Sequence, residues 1–256
     1  MTLIDVNGAR LWVEDEGRGP AVVFIHGGLG DARLWEPQAR ALASHFRTIR
    51  YDLRYWGRSE SPGVEYSPID DLVGVLDALG IERAALVGLS LGGGIALDAT
   101  LAHPKRVWAL VHAAAGVTGM PVNPYSEEQD AAYEAAEKRD DFDTMMEIDF
   151  AIWAPLGATD AYRELWRATP DAQGMPNGAR SLPREPANLE AISVPTLVIV
   201  PSHDPAAQRD VGATVARRVP GAQLMEVESD HYLTLREPDR VTRILEEFLG
   251  GAASSG

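Results

Sequence analysis

Apolar and polar residues alternate in two rhythms along this chain. Residues 3–6 and 11–15 alternate apolar with polar side chains on either side of Asn7-Gly8. That turn pair supplies two left-handed positions, so a β-hairpin is expected at the start. Runs that are almost wholly apolar follow at 21–25, 84–87, 107–112 and 195–200. Short runs of this kind without alternation are strands buried on both faces. Residues 48–51 and 223–227 add two shorter strands. Between the strands the period changes. Leu34, Trp35, Ala39 and Leu42 fall at helical spacing, and so do apolar residues within 69–79, 91–102, 206–218 and 241–249. Strand and helix in alternation predict an α/β fold: a mostly parallel central sheet with helices on both faces.

The pattern breaks from residue 116 to 187. Apolar runs vanish, Pro, Gly, Asp and Glu become frequent, and helical pieces are expected near 127–138, 142–151 and 161–168. This stretch predicts a helical cap set over the strand ends. The expected organisation is therefore a core of residues 1–115 and 188–250, a cap of 116–187, and a flexible tail of 251–256. Trp153, Trp166, Met145, Met146 and Met175 of the insertion are read first as the cap's own core, and only second as a substrate wall. The chain shows no internal repeat.

Composition narrows the partners. With 23 Lys and Arg against 38 Asp and Glu, the formal net charge is −15. Such a chain repels phosphate backbones and anionic membrane surfaces, so neither is an expected partner. There are no cysteines, hence neither disulfides nor thiolate metal sites. The start Met1-Thr2-Leu3-Ile4-Asp5 has no basic and apolar leader pattern, and no run approaches the length of a spanning helix. The expectation is a soluble cytoplasmic protein.

The chemistry centres on Gly88-Leu89-Ser90-Leu91-Gly92, between the strand at 84–87 and the helical stretch at 91–102. A strand that turns at once into a helix leaves no room for a Cβ at Gly88 or Gly92 and pushes Ser90 out at the tip of the sheet. The helix start aims free N–H groups at the same point. His26-Gly27-Gly28-Leu29-Gly30 forms a glycine-rich loop after the strand at 21–25. Four residues, His26, Asp52, Ser90 and His112, lie at carboxyl ends of strands, where ligands of such sheets bind.

This layout resembles the α/β-hydrolase family over essentially the whole chain, in its serine esterase- and lactonase-like branch with a small helical cap. The family orders its triad as nucleophile, acid and histidine along the sequence. The resemblance assigns Ser90 as nucleophile, Asp204 after the strand at 195–200 as the acid, and His231 after the strand at 223–227 as the base. His26-Gly27-Gly28 is similar to the family's oxyanion loop, Asp52-Leu53-Arg54-x-x-Gly57-Arg58-Ser59 to its D-x-R-G-x-G-x-S loop, and Trp153 to a cap residue of small bacterial members. Chemistry asks for the same types. A serine hydroxyl needs a neutral imidazole to take its proton, and the imidazole needs a carboxylate on its other nitrogen. The oxyanion needs fixed N–H donors, each contributing on the order of 3 kcal/mol. Leu91 is expected to give one, and the 26–29 loop the other, from Gly28 or else Leu29.

Hydrolysis of small carboxylic esters or lactones through an acyl-enzyme is therefore expected, with no cofactor and no metal. The same triad serves a cofactor-free perhydrolase or a carbon–carbon bond hydrolase, and the scaffold also serves small-molecule receptors. Serine at the elbow argues against the haloalkane dehalogenase and epoxide hydrolase reactions, which use a carboxylate there. Gly92-Gly93-Gly94 lacks the following Lys-Ser/Thr of a phosphate loop. The remaining histidines are read structurally: His26 and His112 as supports near the site, His45 and His103 as surface residues, and His203 as facing away from the triad. Three positions depart from the family pattern. Tyr55 and Asp230 stand where glycine is usual, and Pro201 opens the turn that carries Asp204. A second carboxylate beside His231 either raises the imidazole's basicity or faces solvent, and the sequence leaves both open.

Overall fold

In the computed structural model, residues 2–60, 62, 65–170 and 186–254 are described. Asn7 and Gly8 both take positive φ, 47° and 80°, and this turn joins β1 (Thr2–Val6) to β2 (Ala9–Gly17) in antiparallel register. The apolar runs become β3 (Ala21–Ile25), β5 (Ala84–Leu89), β6 (Val107–Ala113) and β7 (Thr196–Pro201), and the two shorter strands β4 (Arg47–Tyr51) and β8 (Gln223–Val227). The sheet runs β1-β2-β4-β3-β5-β6-β7-β8 and is parallel from β4 to β8.

Both faces are covered, as the unbroken apolar runs require. Val23, Ile25, Leu86 and Leu110 point into one core. Their neighbours Val22, Phe24, Ala85, Val87, Ala109 and Val111 point into the other. The first core is closed by α2 (Pro68–Ala78), α3 (Leu91–Ala102) and α7 (Ala206–Arg218), the second by α1 (Glu36–Leu42) and α9 (Pro238–Ala253). The first helical stretch is split: a 3-10 turn, Ala32–Trp35, capped by the Asp31 carboxylate, precedes α1, and Pro37 sits in the first turn after the break. A short α8 (Leu233–Arg236), absent from the sequence reading, follows His231 directly.

The strand order places the site. β3 pairs with β4 on one side and β5 on the other, so successive connections leave in opposite directions there. A crevice opens at such a reversal, outside the carboxyl ends of the strands. The loop at His26 and the corner at Ser90 are its two walls.

Between β6 and β7 lie α4 (Glu127–Glu137), α5 (Phe142–Trp153) and α6 (Asp160–Trp166), close to the expected pieces. They meet carboxyl-end loops of the sheet: the Gly57 N–H donates to Ala168 O at 3.0 Å and the His231 N–H to Trp153 O at 3.2 Å. Met145, Met146 and Trp166 are buried, not in a separate core of the insertion but in one continuous with the second core of the sheet, whereas Trp153 is half-buried beside His231. Met175 lies outside the described residues. The tail expectation needs correction, since α9 continues through Ala253. Ala252 packs against the second core, and that contact outweighs the poor helix propensity of Gly250 and Gly251.

Candidate active site

Ser90 sits where β5 becomes α3, with φ 53° and ψ −119°. A non-glycine residue held there is strained, and the surrounding packing enforces it. A Cβ on Gly88 would overlap the Gly92 carbonyl, and one on Gly92 would overlap the Ile25 and His26 carbonyls. The two glycines thus let the helix start press against both β5 and the loop after β3. Gly93 and Gly94 donate to Ser90 O at 3.0 and 3.1 Å. The N–H groups of Leu91 and Gly92, in the first turn, have no acceptor within the helix.

The loop after β3 is fixed by its neighbours. His26 is fully buried; its Nδ1–H donates to Gly27 O at 2.8 Å, and its Nε2 accepts the Leu53 N–H at 2.9 Å. Burial lowers its pKa, consistent with this neutral tautomer. Trp56 Nε1–H donates to Gly28 O at 2.9 Å. Because a trans peptide sets N–H opposite C=O, these bonds turn the Gly28 and Leu29 N–H groups away from His26 and Trp56. A Cβ on Gly27 would lie 3.2 Å from Ser90 Cβ, so the loop passes directly over the serine.

The loop behind it is tied both to itself and to neighbouring elements. Asp52, fully buried, accepts from the Ala32 N–H at 2.9 Å and from the Arg58 N–H and Nε–H at 2.8 Å each. Arg54 forks onto Asp71 at 2.9 and 2.7 Å. Tyr55 takes a positive φ of 77°, the left-handed region that favours glycine, and its ring packs 5.4 Å from Tyr66 between centroids. Burial of that ring offsets the strain.

Asp204 and His231 come together: His231 Nδ1–H donates to Asp204 Oδ2 at 2.9 Å, and both side chains are buried. Among the described residues no hydrogen bond joins Ser90 to His231. The other carboxylates are elsewhere, for Asp210 is exposed on α7. Asp230, expected to touch the imidazole or face solvent, does neither. It is fully buried and accepts from Arg236 Nε–H at 3.0 Å and Nη2–H at 2.8 Å, with the Tyr232 N–H at 3.2 Å. His203 pairs at the surface with Glu228, Nε2 to Oε1 at 2.7 Å. His112 Nε2–H donates to Gly116 O at 3.2 Å, and burial pushes its pKa down to about 4.

Trp153 is the contact that periodicity does not reveal. Its ring centroid lies 4.3 Å from that of His231, with the two ring planes tilted by 47°. Behind it, Trp153 Nε1–H donates to Tyr125 Oη at 3.4 Å and Tyr125 Oη–H to Asp149 Oδ1 at 2.5 Å. Trp166 Nε1–H donates to the other Asp149 oxygen at 2.6 Å.

A serine corner under a braced loop and an imidazole held by a carboxylate are parts suited to hydrolysis, and relatives agree. The profile described as "Alpha/beta hydrolase family" matches residues 22–244. The chain belongs to the alpha/beta hydrolase family. It is 27% identical to a 3-oxoadipate enol-lactonase of Acinetobacter baylyi over 94% of each chain. It is 28% identical to a 2-hydroxymuconate semialdehyde hydrolase of Pseudomonas putida, over 96% of this chain and 92% of that one. A solved N-acyl homoserine lactone degrading enzyme superposes with a TM-score of 0.76 at 27% identity, covering 96% of this hydrolase and 100% of its own chain. Among the described residues no group of three or more His, Asp or Glu is placed to hold a metal ion. No helix among them is long and apolar enough to cross a membrane.

Proposed function

We propose that this hydrolase cleaves small carboxylic esters or lactones through an acyl-enzyme on Ser90. His231 Nε2 takes the Ser90 proton as Oγ attacks the carbonyl carbon, then delivers it to the leaving alkoxide. Water repeats the cycle on the acyl-enzyme. Asp204 keeps the proton of the neutral imidazole on Nδ1, leaving Nε2 free to accept, and stabilises the cation once formed. The N–H groups of Leu91 and Gly28 receive the oxyanion, with the Leu29 N–H as the alternative second donor.

The observation that carries this reading is the buried 2.9 Å bond from His231 Nδ1 to Asp204, which fixes the tautomer a general base needs. Similarity to lactone-cleaving relatives supports the substrate class. A panel of p-nitrophenyl esters and of lactones of graded acyl size tests it. Turnover that is abolished by Ser90→Ala is the expected result, and full turnover in that variant overturns it.

A further inference from the structure

The crevice at Ser90 continues along one face of α3. Ser90, Leu91, Gly94, Ile95 and Asp98 all line a cavity of about 340 Å³. Residues three and four apart share one side of a helix, so this face runs as a strip away from the serine. Asp98 stands two turns beyond Ser90, about 12 Å along the axis. It is 93% buried, with 7% exposed. Its Oδ2 accepts the Thr118 hydroxyl at 2.7 Å, while its Oδ1 has no hydrogen-bond partner among the described residues.

That oxygen lies on the cavity side of a carboxylate that lines the same space as Ser90, where a donor on a ligand can reach it. Burial already raises the pKa of the Asp98 carboxyl, against the pull of the Thr118 hydroxyl. The described cavity lining holds no Lys or Arg. The Thr118 hydroxyl donates to Asp98 Oδ2, and one Gln208 Nε2–H goes to Ala114 O at 3.1 Å. Among the described lining residues no cationic side chain meets this carboxylate, so a cationic or donor group on a ligand finds a complementary partner here.

We infer that Asp98 sets substrate specificity: the site selects esters or lactones that carry a hydrogen-bond donor, best a protonated amine, at the end remote from the scissile carbonyl. Substrates ending there in a carboxylate are rejected by like charge. This rests on the acyl-transfer reading of Ser90.

The test uses esters of equal length ending in ammonium, methyl or carboxylate, with the end group on the acyl chain in one series and on the alcohol in another. In at least one series kcat/KM for the ammonium end exceeds that for the carboxylate end by on the order of tenfold or more. Most of the difference lies in KM, and Asp98→Asn, which keeps an oxygen for Thr118, collapses the ratio towards one. A purely structural tie between α3 and Thr118 would not move that ratio. Without any variant, a linear primary amine should compete with substrate where the carboxylic acid of the same length does not. Equal turnover of the charged ends in both series, no competition by the amine, or an unchanged ratio in Asp98→Asn overturns the inference. An acetate ester too short to reach Asp98 reads the acyl transfer alone. Its turnover alongside any of those results sinks only the specificity claim. Failure of every ester, with Ser90 unlabelled by a phosphonate, sinks both.

Discussion

Replacing Asp204 by Asn isolates what the buried carboxylate does for the imidazole. In the parent, one oxygen receives His231 Nδ1–H at 2.9 Å, while the other is buried without a partner. An amide at that position has two orientations, and both fail. With its oxygen towards Nδ1, its NH2 fills the place of Oδ1, where no acceptor waits. With its NH2 towards Nδ1, the imidazole must accept there and carry its proton on Nε2, so it can no longer take the proton of Ser90. The second orientation satisfies the buried donor and should dominate. The expected loss in kcat is then on the order of 10⁴, or about 5 kcal/mol of transition-state stabilisation. Steady-state hydrolysis of a p-nitrophenyl ester measures it, with urea unfolding as a check on the fold. Asp210→Asn, on the exposed side of α7, is the matched control and should change kcat less than about twofold. A loss below tenfold in Asp204→Asn, or a larger one in Asp210→Asn, would show that the acid has been misassigned.

Three further outcomes follow from the geometry. His112 is held below its unfolded value of 6.5, at about 4. The unfolded chain therefore binds the proton first, and folding stability falls as pH drops from 6.5 towards 4, by about 3 kcal/mol from this group. His26 acts in the same direction. Urea titrations across that range should show a shallower fall in His112→Gln, and identical slopes would refute the assignment. Asp230→Ala strips a buried carboxylate from Arg236, whose side chain keeps 21% exposure; a loss of about 2–3 kcal/mol in urea unfolding is expected, and a loss under about 0.5 kcal/mol contradicts the pairing. Gly92→Ala drives a methyl into the Ile25 and His26 carbonyls and moves the helix start from the loop over Ser90. Its kcat should fall by about 100-fold, and an unchanged kcat in a folded variant removes the close approach from the mechanism.

The sheet was legible because its central strands β3, β5, β6 and β7 are buried on both faces, and that condition leaves an unbroken apolar run in the sequence. The elbow was legible because close packing of β5, α3 and the loop after β3 excludes a Cβ at Gly88 and Gly92. The resemblance put Asp204 forward as the acid, and the bond from His231 Nδ1 supports that choice. What stayed hidden depends on which faces meet across long separations. Nothing near Asp230 shows that Arg236 returns to it, because α8 is a single turn formed against tertiary contacts. Trp153 belongs to a helix whose apolar spacing gives a buried stripe but not which residue of its last turn reaches His231. The unpartnered oxygen of Asp98 was invisible for the same reason. Two glycines before residue 252 read as a helix end, until Ala252 is seen packed on the core.

The central claim is that Ser90 forms a covalent acyl intermediate with His231 as its base. The most direct measurement is mass spectrometry of the protein after reaction with a serine-directed phosphonate and after rapid quenching during ester turnover. One adduct per chain, mapped to the peptide carrying Ser90 and absent from Ser90→Ala, is the predicted result. Adducts on another residue, or ester turnover at the parent rate by Ser90→Ala, would contradict the account.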